Sequence, residues 1–124
     1  MITIFLMICI GKKGTESMKK NEKIHALRMA LMKAIEAAKE FSTIDDRGTS
    51  NFDTPVIKLS GWRESEIREA FLLTGVFPDV EKDGTVQILR ACLGQGFRRT
   101  TMAEAFRDSL RESGYTAYVH YQVD

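Results

Sequence analysis

The chain is short of the residues that most often carry chemistry. Cysteine occurs at Cys9 and Cys92 alone, too far apart for a zinc or redox spacing. Histidine occurs at His25 and His120 alone, with no cysteine or carboxylate at ligand spacing, which leaves no recognisable metal centre. No serine or cysteine stands in a recognisable nucleophile setting beside a base. Neither sign of charge dominates: 18 Lys and Arg against 17 Asp and Glu leave a formal charge of +1. No overall field therefore drives the protein onto nucleic acid or an anionic membrane, and any basic site is local. Internal repeats and low-complexity segments are absent as well. The reading leans away from an enzyme, and no cofactor or metal is expected.

Long apolar runs are also missing. Ile2 to Ile10 is the longest, and a membrane span needs roughly 20 apolar residues. The run lacks the basic start and small-residue cleavage site of a secretory signal. Met18 followed by KKNEKI looks like an ordinary bacterial beginning, and Lys13 to Glu16 can be encoded by a purine-rich run resembling a ribosome-binding site. Residues 1–17 are therefore read as a start called too early, with an extra strand as the runner-up and a lipid anchor last. Residues 18–124 make a single α+β domain in a reduced, cytoplasmic setting.

What is present is well punctuated. Ile24, Leu27, Leu31, Ile35 and Ala38 recur at three- and four-residue steps, predicting a long amphipathic helix over Lys19 to Phe41. Its lysines, and His25 among them, read as a solvated face. The segment FSTIDDRGTSNFDTP has no periodicity and reads as a long loop, a functional candidate by its length. Asp45, Asp46 and Asp53 within it lack calcium-loop spacing and read as loop polarity.

Pro55 to Ser60 then reads as a strand and Arg63 to Thr74 as a helix, with Gly75 as its stop. Val76 to Val80 is extended, and Pro78 places it at an edge. Lys82-Asp83-Gly84 is a hairpin turn leading into a strand over Thr85 to Leu93. A helix over Met102 to Ser113 and a strand over Tyr115 to Gln122 complete the order. Strand, helix, strand, strand, helix, strand is the ferredoxin-like split βαβ (βαββαβ) arrangement, here preceded by a long helix.

Two candidate sites follow. In GQGFRRTTMAEAF, Thr101 and Glu104 have capping-box spacing. A capped helix start favours an anion, Gly94 and Gly96 on either side of Gln95 allow close backbone approach, and Arg98 and Arg99 offer bidentate donors. The stretch is neither a Walker loop nor a dinucleotide fingerprint. The favoured alternative is a plain strand-to-helix turn with surface arginines. The second candidate is the sheet face opposite the helices. If Ile57, Leu59 and Val119 face the core, then Lys58, Tyr118 and His120 share the open side, as in a stacking platform for RNA. Here the favoured alternative is that the N-terminal helix covers this face. Trp62 is either an interface anchor or a staple of its helix to the core.

The segments NFDTPVIKLSGW, GQGFRRTTMAEA and YTAYVHYQVD resemble small proteins encoded by phages and conjugative elements of Gram-positive gut bacteria, a group with no assigned activity. The resemblance implies a mobile genetic element and transfers no catalytic residue. The leading expectation is a non-enzymatic binding protein acting on a nucleic-acid or nucleoprotein partner, an inhibitor of a host defence nuclease being one form. The rival is a small enzyme or sensor that binds a phosphorylated metabolite at the Gly94–Thr101 turn.

Overall fold

The computed structural model describes residues 15–44, 52–92 and 96–122. Among these residues it is an α+β structure in which three helices back a four-stranded antiparallel sheet. The stretch Ile2 to Ile10, whose status the sequence leaves open, lies outside the described residues, as do Asp45, Asp46, Gly94 and Gln95.

Helix α1 (Thr15–Lys39) contains no glycine or proline and is rich in strong helix formers. Its buried stripe is Ile24, Leu27, Ala30, Leu31, Ala34 and Ala38, close to the periodicity read from the sequence. Strand β1 (Thr54–Lys58) follows, then helix α2 (Glu64–Phe71). Leu73 enters the left-handed region at φ 64°, which closes α2 three residues before the expected end. Arg28 of α1 donates to the Glu69 and Ala70 carbonyls in the last turn of α2, where a cation also meets the negative dipole end.

Strands β2 (Phe77–Val80) and β3 (Thr85–Leu89) form a hairpin. Its turn is fastened by Asp83, whose carboxylate accepts the Thr85 N–H at 3.0 Å. Gly84 sits at φ +87°, and a Cβ there would lie 3.0 Å from the Ser60 main chain. Only glycine satisfies both the conformation and the approach. Helix α3 (Gly96–Glu112) and strand β4 (Thr116–His120) complete the chain.

The strand order is β2-β3-β1-β4. Ile57 pairs with Val86 on one side and Ala117 on the other, and all three are buried under the helices. Val56, one residue back, is flanked by Gln87 and Tyr118 on the opposite face. The expected pairing of the last strand with the PVIK segment is present over five residue pairs.

Two expectations are corrected. Helix α1 packs on α2 and α3 on the helical side, so it does not cover the far side of the sheet. Its apolar stripe is satisfied on the helical side, in one cluster with Phe71, Phe106 and Leu110. Helix α3 begins at Gly96, six residues before Met102. The Thr101–Glu104 capping box does not form: Thr101 lies inside the helix and donates its hydroxyl to the Phe97 carbonyl at 2.8 Å. Spacing matched the motif, yet the preceding turn was already helical, so no free N–H groups stood there to cap.

Candidate functional site

The first turn of α3 contains no acidic residue and carries Arg98 and Arg99. Cations at a helix N-terminus are unfavourable against the dipole and call for a carboxylate from elsewhere. Asp53, the residue before β1, supplies it and is only 4% exposed. Its Oδ2 accepts the Thr100 hydroxyl at 2.7 Å, and its Oδ1 accepts the Gln122 N–H at 2.9 Å. Arg99 Nε donates to the Asp53 main-chain carbonyl at 2.8 Å. Arg98 Nε donates to the Ile44 carbonyl at 2.9 Å, on the other side of the long loop. Phe52 N–H closes the cluster by donating to the Gln122 carbonyl at 2.7 Å.

The two arginines are therefore half-buried fasteners between the loop ends and α3. An anion does meet this helix start, and it is one of the protein's own side chains. Asp53 was read from the sequence as loop polarity. The signal that pointed to it was the pair of arginines in a helical turn that offers no acid of its own.

Cys92 lies near this cluster. Burial pushes its thiol up to about 12; Arg99 pulls it down and Asp53 pushes it up by smaller amounts. A thiol held protonated in this way is a poor nucleophile.

The sheet face gathers the second group of predicted residues. Ile57, Leu59 and Val119 are buried toward the helices, while Lys58, Tyr118 and His120 are exposed. Register puts Lys58 opposite Thr116, Val56 opposite Tyr118 and Thr54 opposite His120, so the three candidates occupy the β1–β4 half of one face. Tyr118 is 38% exposed beside the buried Val56. Acidic residues stand at the other edge: Asp79 in β2, and Glu81, whose carboxylate accepts from the Gln87 side chain at 3.1 Å. Phe77 and Leu89 pair at a corner of the face, and the Arg90 guanidinium lies 5.3 Å from the Phe77 ring centre. No reading of the sequence singled out this corner.

Trp62 is half-buried against the core, and the Lys23 ammonium lies 4.5 Å from its ring centre. Lys23 also pairs with Glu66 at 3.1 Å. The Glu66 carboxyl accepts the Arg63 N–H at 2.9 Å, and this bond, with Lys23, holds it below the usual carboxylate range. Trp62 thus sits at a junction between α1 and the start of α2. Among the described residues, no group of three histidine, cysteine or acidic side chains is placed to hold a metal ion. No helix among them is long and apolar enough to cross a membrane. No family model, curated protein or solved structure matches the chain.

Proposed function

We propose that this is a small non-enzymatic binding and regulatory protein of a mobile genetic element. It acts on a nucleic-acid or nucleoprotein partner through the sheet face opposite its helices, and inhibition of a host defence nuclease is one concrete form. The observation that carries this reading is the convergence of Lys58, Tyr118 and His120 on a face that α1 leaves uncovered. An exposed ring and an imidazole two residues apart on one strand, with an ammonium group on the next, suit stacking on bases and contact with phosphate. The acids of the β2 edge confine this character to the β1–β4 half. The strand order, antiparallel throughout, supports the ferredoxin-like split βαβ description. The rival site, a phosphorylated metabolite at the Gly94–Thr101 turn, is less favoured because Arg98 and Arg99 are engaged with Ile44 and Asp53.

The test is affinity capture from a bacterial host, comparing the native chain with a Lys58→Ala/Tyr118→Ala/His120→Ala variant of equal melting temperature. Loss of one stacked base contact costs about 1–3 kcal/mol, roughly 5- to 150-fold in affinity, so the variant should lose the partner. Equal recovery by both proteins would remove the sheet face from the reading.

A further inference from the structure

Helix α1 buries one stripe and leaves another in solvent. The outward stripe reads Lys19, Glu22, Ala26, Met29, Lys33 and Glu36, and all but the half-buried Glu22 are exposed. Steps of three and four residues make it a heptad seam, the pattern by which two helices pack on each other. It lies opposite Leu27, Leu31, Ala34 and Ala38, which serve the core. A groove of about 730 Å³ opens along its middle, with an apolar floor of Ala26, Met29 and Ala30. Glu22 and Lys33 stand at its two ends, and Ser113, just after α3, walls one side. Met29 is 51% exposed there.

The order of charges along this seam says what covers it. Two copies related by a two-fold axis across the helix run antiparallel, so each residue meets the one at equal distance beyond the axis. With the axis between Leu27 and Arg28, Ala26 faces Met29, Glu22 faces Lys33 and Lys19 faces Glu36, each pair formed twice. Every layer is then complementary: small against large at the centre, acid against base on either side. The parallel arrangement sets Lys19, Glu22, Lys33 and Glu36 each against its own copy, and such like-charge layers repel. Glu36 already meets Lys39 of its own helix at 3.4 Å, so the two Glu22–Lys33 layers contribute more of the selection.

We propose that α1 is the interface of an antiparallel homodimer, with Met29 of each copy seated in the groove over Ala26 and Ala30 of the other. The seam points away from the core that α1 shares with the sheet, so both sheet faces stay open in the dimer.

The test is sedimentation of the full chain over roughly 10 μM to 1 mM, a range suited to the modest area of one helix pair. A monomer–dimer equilibrium is expected, and a monomer throughout overturns the proposal. Lys33→Glu sets acid against acid twice and should weaken the dimer about tenfold or more, with the melt of the dilute monomer unchanged. Glu22→Lys should do the same by setting base against base. An equimolar mixture of these two variants restores both layers, so it should associate where neither does alone. Met29→Glu places a charge on each side of the axis and should remove association altogether. A dimer that these substitutions leave intact, or a mixture that does no better than its parts, puts the contact elsewhere and overturns the proposal.

Discussion

The Asp53 carboxylate accepts the Thr100 hydroxyl across 47 positions of chain. One side chain thereby joins the entry to the central strand, the first turn of α3 and, through Gln122, the end of β4. Asp53→Ala removes both acceptors, so the Gln122 N–H loses this bond and the Thr100 hydroxyl falls back on the Gly96 carbonyl at 3.2 Å. Bonds to a charged group are worth about 1.5–3 kcal/mol, so a loss of about 3 kcal/mol in urea unfolding is expected. A loss below about 1 kcal/mol would show that the cluster is incidental to stability.

Arg98 and Arg99 behave as structural residues in the same cluster. Each Nε holds a main-chain carbonyl, so Arg98→Ala and Arg99→Ala should each cost about 1 kcal/mol. Denaturant melts decide this, and a wild-type melt for both variants would return the arginines to a surface role.

Acid should weaken the junction of α1 and α2. Glu66 ionises below its ordinary value of 4.5 because it accepts the Arg63 N–H and meets Lys23, and its side chain is only 7% exposed. A carboxyl depressed in the folded state adds stability that is complete above its unfolded pKa and is lost as pH falls through the folded one. Asp83, also depressed by its bond to Thr85, acts in the same direction. Melting temperature should therefore decline below about pH 4.5, and Glu66→Gln should flatten part of that decline. Parallel profiles for the two proteins would show that Glu66 makes no contribution.

The Cys92 thiol should resist alkylation. With its pKa near 12 in place of 9.0, the thiolate fraction at pH 8 falls roughly 1000-fold. Mass-spectrometric mapping after timed iodoacetamide treatment would read the rate at this peptide, with the urea-unfolded chain as the reference. Equal rates folded and unfolded would contradict the burial.

Gly84→Ala places a Cβ 3.0 Å from the Ser60 main chain at φ +87°. The conformation alone costs about 1–2 kcal/mol, and the contact adds to it, so the β2–β3 turn should be visibly destabilised. Hydrogen exchange in the hairpin would report the change, and native protection would argue against it.

Local signals gave most of the architecture. Asp83-Gly84, Pro78 and the alternation around Val119 mark turn, edge strand and buried face through interactions within a few residues. Thr101 and Glu104 misled for the same reason, since their spacing is a local pattern and the helix had already begun at Gly96. The end of α2 was misplaced because a leucine, 95% exposed, takes the left-handed conformation that glycine usually supplies. Asp53 was out of reach because its side-chain partners stand 47 and 69 positions away. The side of the sheet on which α1 rests was equally hidden, because an apolar stripe specifies that a helix is buried and not against what.

Strand β1 pairs on one side with β3 and on the other with β4, whose residues lie 58–66 positions further along. During synthesis the central strand therefore emerges before either neighbour exists, while β2 and β3, joined by four residues, can pair at once. Closing the longer loops has an entropic cost that the later contacts must offset, which slows folding relative to a chain of local pairings. A ribosome-bound chain arrested before β4 would expose one side of β1, and with it an apolar strand edge open to chaperones or to aggregation.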